Sequence, residues 1–138
     1  LIGAATAPQT AALRDYGLHL GIAYQLIDDV LDYRGDAAQL GKNLGDDLAE
    51  GKMTLPLIRA LQTAPAADAQ QIRTAITARS GNLAAIAAIV TATGALDFTA
   101  ALARDHAGQA LAALAALPDT AARTALHELA EFSVQREF

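Results

Sequence analysis

Asp28, Asp29 and Asp32 stand together in the string DDVLD, and their spacing suits the collection of negative charge on one side of a helix. A four-residue step puts Asp28 and Asp32 one above the other, and Gln25, three residues earlier, joins that face. Like charges so placed repel by about 0.2–0.5 kcal/mol per pair, and aspartate is a poor residue inside a helix. Stability alone does not select this arrangement, whereas a divalent cation would relieve the repulsion. Magnesium is the natural candidate, because it takes hard oxygen ligands and is commonly held by one or two carboxylates together with substrate phosphates. The implied ligand is a phosphate or diphosphate ester. The competing reading is a solvated acidic face near a helix end.

Ten residues past Asp32, Lys42 opens GKNLGDDLAEGK, which closes on Lys52. These two are the only lysines of the chain, and the other basic residues are arginines. An ammonium group suits a point-charge contact to phosphate, with surface solubility as the alternative for both residues. Asp46 and Asp47 in the same string read either as helix caps or as groups that bind a metal-bound water or a lysine. His19, His106 and His127 lie far apart in sequence without HExxH-type spacing, so they are taken as bystanders to any metal or acid–base chemistry. The chain has no GxSxG elbow, no GxxxxGK[ST] loop and no strand-led GxGxxG. Hydrolase, P-loop and dinucleotide readings therefore lack their motifs, and metal-assisted diphosphate chemistry remains.

The elements that must position these residues read as all-α. Alanine is abundant, β-branched and aromatic residues are sparse, and apolar residues recur at three- and four-residue steps. A first long helix is expected from about Pro8 to Tyr33, carrying the aspartates near its end. It contains Gly17 and Gly21, which cost about 1 kcal/mol each against alanine and so suggest close approach of a neighbouring helix or a substrate. Residues 34–47 are expected to form a polar, glycine-punctuated loop, with Asp46 or Asp47 capping a short helix to Glu50. Thr54 is placed as the N-cap of a helix that stops before Pro65, and further helices are expected at 66–79 and 83–93. Gly94 then serves as a left-handed C-cap, a long helix follows to Leu117, and Pro118-Asp119-Thr120 marks the restart into a last helix. No fixed-period repeat is visible, which favours a bundle over a solenoid.

Composition bounds the function. A chain of 138 residues is long enough for one domain with its own core. A formal net charge of -5 argues against nucleic acid, whose binding is driven by clustered Lys and Arg. The apolar run from Leu83 to Val90 falls far short of the roughly 20 residues that span a bilayer, so no integral membrane segment is expected. With no cysteine, there is neither a disulfide framework nor a thiolate zinc site, and a cytoplasmic location is the default expectation.

The stretch GIAYQLIDDVLDYRGDAAQLGKNLGDDLAEGKMTLPLI resembles the second aspartate-rich region of trans-type polyprenyl diphosphate synthases, above all long-chain, octaprenyl-type members. The likeness is strong over about residues 13–61, and LPDTAARTALHELAEFSVQREF resembles the family's C-terminal helices more weakly. It implies the helical bundle of the isoprenoid synthase fold and a prenyltransferase that joins isopentenyl diphosphate to an allylic diphosphate, giving a long-chain precursor of quinone side chains. By the same likeness Asp28, Asp29 and Asp32 are magnesium ligands, Lys42 and Lys52 contact diphosphate, and Gln25 turns its amide oxygen to the developing carbocation. Full-length members are typically homodimers.

What is absent matters as much. The family's first aspartate-rich motif and its upstream basic residues do not occur in these residues, and Leu1 falls where the family continues a helix. The chain is therefore expected to be the C-terminal half of such an enzyme, a single helical segment over residues 1–138, inactive in elongation by itself. Three alternatives stay open: a non-catalytic helical subunit of a heteromeric synthase, a fragment of a class I terpene cyclase, and a structural helical domain with an acidic face.

Overall fold

A computed structural model of the chain describes residues 5–34 and 37–136, and the side chains of these except residues 37–39. The described residues form helices joined by short turns, with no strand among them. In chain order the helices are α1 (Ala7–Leu31), α2 (Ala37–Glu50), α3 (Leu55–Thr63), α4 (Ala66–Ala78), α5 (Leu83–Ala92), α6 (Ala95–Ala113) and α7 (Ala121–Gln135), with a 3-10 turn, Leu114–Ala116, after α6. The described residues divide into two compact units: residues 5–27 with 101–136, and residues 28–34 with 37–100.

The second unit holds the aspartates. Its core collects Tyr33, Leu44, Leu48, Leu57, Ile72, Ile86 and Val90, with Leu40 and Leu83 packed against it. The expectation of a loop over residues 34–47 is corrected here, because residues 37–50 are one continuous helix. The reason is the four-residue recurrence of Leu40, Leu44 and Leu48. Leu44 and Leu48 are each 2% exposed, and burying such a side chain is worth about 1.5–3 kcal/mol. Together they outweigh the roughly 1 kcal/mol that each of Gly41 and Gly45 costs the helix. Gly45 also has a packing use, since a Cβ there would lie 3.2 Å from Leu83 Cδ1 of α5.

Glycine ends α2 as well. Gly51 takes a left-handed φ of +73°, its N–H donates to the Leu48 carbonyl, and the Lys52 N–H donates to the Asp47 carbonyl at 2.8 Å. This pair of bonds is a Schellman closure, which satisfies carbonyls that the helix leaves over. Asp46 and Asp47 thus lie inside the last turns of α2, and their reading as N-caps is overturned. Gly94, with φ +70°, follows α5 in the left-handed conformation expected of it. Thr54 precedes α3 as its N-cap residue with Pro56 in the first turn, although its side chain makes no capping bond.

In the first unit Tyr16 packs with Ala110, Leu114 and Ala130, and its hydroxyl donates to the Leu126 carbonyl at 2.7 Å. Burial raises the Tyr16 pKa above the ordinary phenol value. Ala103, Ala107, Ala110 and Leu114 form the buried stripe of α6 and its 3-10 extension. Thr120 caps α7, accepting from the Arg123 N–H at 3.3 Å. At the far end of α7, Arg136 lies over the Tyr24 ring, 3.7 Å from its centroid, and donates to the Tyr24 carbonyl. Gly17 and Gly21 are exposed, and a Cβ at either would meet nothing within 4 Å. The expected close helix packing at these two glycines is therefore not found among the described residues. Nor is any single described helix long and apolar enough to cross a membrane.

Candidate functional site

The acidic cluster forms at the last residues of α1, which from Asp28 onward belong to the second unit together with α2. The last turn of α1 persists past Leu31 through an Asp32 N–H bond to the Asp28 carbonyl at 3.0 Å. That bond keeps Asp28 and Asp32 on one face, as the four-residue spacing requires. Asp29 lies on a different stripe with Tyr33, one turn later, and is only 6% exposed. Asp28 and Asp32 are half-buried.

Across from them α2 presents Asn43 and Asp47, again one turn apart. Asn43 Nδ2 donates to Asp32 Oδ1 at 3.1 Å, which ties the two helices at the carboxylate itself. Lys52 Nζ donates to Asp47 Oδ1 at 3.1 Å. Asp28, Asp29, Asp32, Asp47 and Lys52 therefore share one corner of the second unit. Lys42 and Asp46 sit exposed on α2. Gln25 is exposed on α1 in the first unit.

The electrostatics follow from four carboxylates facing one ammonium group. Burial raises the Asp32 pKa above its ordinary value, and the charges of Asp47, Asp29 and Asp28 add to the rise while Lys52 opposes it. The hydrogen bond and charge of Asp47 raise Lys52, with Asp29 and Asp32 contributing. Burial pushes the Tyr33 phenol up to about 12, against the pull of the Thr54 hydroxyl and with the help of Asp47, Asp29 and Asp32. Tyr33 Oη is a buried atom with no partner at hydrogen-bonding geometry, so Thr54 acts on it from nearby without completing a bond.

Among the described residues no group of three or more His, Asp or Glu side chains is gathered closely enough to hold a metal ion by itself. The donors gathered here are hard carboxylate oxygens. This suits a cation such as magnesium that takes one or two carboxylates and completes its shell with water and phosphate.

Three residues of this corner escaped the sequence reading. Asn43 stood in the expected loop, Tyr33 was taken only as a helix end, and Thr54 only as a cap. The available signal for Asn43 was its four-residue spacing to Asp47, which is informative only once α2 is known to be a helix.

Two of the histidines form a pair that the sequence spacing did not suggest. His19 on α1 and His106 on α6, both in the first unit, bring their Nδ1 atoms to 2.9 Å. Their ring centroids are 5.1 Å apart. That separation is close to the nitrogen distance plus about one ring radius at each end, so the nitrogens point at one another in line. The arrangement is that of a shared hydrogen bond, not of two ligands converging on one ion. Sequence distance hid a pair that helix packing creates.

Comparisons with known proteins show the family of the chain. Residues 1–93 match the polyprenyl synthetase family, and the chain belongs to that family. It is 47% identical over 139 aligned residues to an octaprenyl diphosphate synthase of Escherichia coli K12, covering 99% of this chain and 43% of that protein. The crystal structure of a polyprenyl synthase from Caulobacter crescentus CB15, complexed with calcium and isoprenyl diphosphate, superposes with a TM-score of 0.82 at 45% identity. The match covers 97% of this chain and 42% of that one. A polyprenyl synthase from Roseobacter denitrificans gives a TM-score of 0.84 at 38% identity, over 96% of this chain and 44% of its own. The chain thus spans less than half the length of the relatives it matches, and its helical architecture is theirs.

Proposed function

We propose that the chain is the C-terminal part of a trans-polyprenyl diphosphate synthase of the octaprenyl type and supplies one half of its active site. The whole enzyme would condense isopentenyl diphosphate with an allylic diphosphate, lengthening a polyprenyl chain destined for a quinone side chain. The observation that carries the reading is the acidic corner itself, DDVLD at the end of α1 facing Asn43, Asp47 and Lys52. Its setting in a chain so similar to an octaprenyl diphosphate synthase supports it. The relative crystallised with calcium and isoprenyl diphosphate supports both a divalent cation and an isoprenoid diphosphate as ligands.

In this reading Asp28, Asp29 and Asp32 hold magnesium, with Asp46 and Asp47 supporting them from α2. Magnesium, when bound, neutralises the diphosphate and stabilises it as a leaving group. The ammonium groups of Lys42 and Lys52 add positive charge for the same anion, and Lys52 must share itself with Asp47. Gln25 offers its amide oxygen to the allylic cation. Residues 1–138 act as one segment of a larger helical domain, which we take to be a cytoplasmic homodimer in its full-length form.

The test is thermal unfolding of the chain with and without magnesium plus pyrophosphate, beside an Asp28→Ala/Asp32→Ala variant. A ligand that binds only the folded state raises its stability. We expect a rise in Tm that the double variant loses; an equal rise in both proteins would move the ligand away from DDVLD.

A further inference from the structure

Tyr33 is a tyrosine where the surrounding packing calls for phenylalanine. Its ring is 7% exposed and belongs to the core with Leu44, Leu48 and Leu57. Its hydroxyl is a buried polar side-chain atom that completes no hydrogen bond at good geometry among the described residues, and the Thr54 hydroxyl nearby returns only part of its lost hydration. Phenylalanine would fill the same space without that loss. The hydroxyl is set in the polar corner, within the electrostatic reach of Asp47, Asp29 and Asp32 and beside Thr54. Thr54 is itself 6% exposed and spends no bond on capping α3. A donor stranded beside carboxylates is arranged for a state in which those carboxylates move.

We infer that Tyr33 is a positioning residue for the loaded site, its hydroxyl donating to the acidic corner once a divalent cation and a diphosphate have drawn the carboxylates into place. The inference rests on the metal–diphosphate reading above. A phenol donating to a carboxylate makes a charge-assisted bond, stronger than a neutral one. The hydroxyl therefore costs the ligand-free chain stability and returns it as ligand affinity. A purely structural tyrosine has no such change of sign.

The experiment compares wild type with Tyr33→Phe by thermal unfolding, and by calorimetric titration of pyrophosphate in excess magnesium at 25 °C, with circular dichroism to confirm equal helicity. Tyr33→Phe is expected to unfold at the wild-type temperature or above it without ligand, to show a smaller rise with magnesium and pyrophosphate, and to bind pyrophosphate roughly tenfold more weakly. Thr54→Val, which leaves the phenol in place, is expected to keep most of the wild-type affinity. If Tyr33→Phe lowers the ligand-free Tm and keeps the full ligand response, the hydroxyl is structural and the inference falls while the site reading stands. If Thr54→Val reproduces the loss, the hydroxyl works through Thr54 and the inference again falls alone. If wild type itself does not respond to the ligands, the site reading fails and takes the inference with it.

Discussion

Lys52 is bound to Asp47 twice, once by its backbone N–H to the Asp47 carbonyl at 2.8 Å and once by its Nζ to Asp47 Oδ1 at 3.1 Å. The first bond belongs to the Schellman closure of α2 and fixes where the lysine leaves the helix. The second aims the ammonium group back over the acidic corner. Helix termination and charge placement are thus one local event at Gly51.

Because the Lys52 side chain is 47% exposed, its ion pair is worth little to stability, about 0.2–1 kcal/mol. Lys52→Met should therefore cost less than about 1 kcal/mol in urea unfolding at pH 8. The folded-state pKa of Lys52 is raised above 10.5, so the pair's contribution is complete below that value and disappears as pH rises through the folded pKa. Wild type and variant should converge in strongly alkaline urea titrations. The same variant should lose far more of its response to magnesium and pyrophosphate than of its stability.

Asp32 predicts the opposite preference. Its folded-state pKa is raised above 3.8 by burial and neighbouring carboxylates, so protonation stabilises the fold. Its contribution is favourable below the unfolded value and is lost as pH rises through the folded one. In the absence of divalent cations Asp32→Asn should be more stable than wild type at pH 7, with the difference closing as pH falls below 4. Asn43 can still donate to the new amide oxygen, so the helix contact survives the substitution. Paired denaturant titrations across that range measure the effect, and a variant less stable than wild type at pH 7 would show that the carboxylate carries no net repulsion.

Gly17 and Gly21 offer a test of what a helix glycine is for. With nothing within 4 Å of an added Cβ at either position, alanine brings only its better helix propensity. Gly17→Ala and Gly21→Ala should each stabilise this chain by about 1 kcal/mol, and the pair should add, as read by Tm. A loss at either position would reveal a packing demand that these described residues do not display.

Most of the helical order was legible because its punctuation is local. Pro56 in a first turn, Gly94 at a helix end and Pro118-Asp119-Thr120 between helices act on the chain next to them, and helices start or end where these residues stand. The aspartates of DDVLD were legible because a single helix carries them. The α2 region was misread because its glycines and charges are local signals for a loop, whereas the three leucines that make it a helix act only through the core they enter. Asn43 and Tyr33 were hidden for the same reason, since each gains its meaning from the helix across from it. The His19–His106 contact lies between helices far apart in the chain, and no spacing rule reaches it.

This dependence makes Leu48 the point at which fold and site can be separated by experiment. Leu48 is 2% exposed in the core of the second unit, on the helix that carries Asn43, Asp47 and, just beyond its end, Lys52. Leu48→Ala should cost about 2–5 kcal/mol in denaturant unfolding, the range for truncating a buried leucine. The leucines hold α2 against Gly41 and Gly45, so the loss should fall on α2 first. Amides of residues 44–50 should then lose hydrogen-exchange protection before those of α4 and α5. Magnesium and pyrophosphate should restore part of that protection if they bridge α1 to α2, since ligand binding favours the conformation that binds. Exchange that rises equally across the whole second unit would instead mean that α2 and its neighbours unfold as one, and that the acidic corner has no independent mobility to be regulated by its ligands.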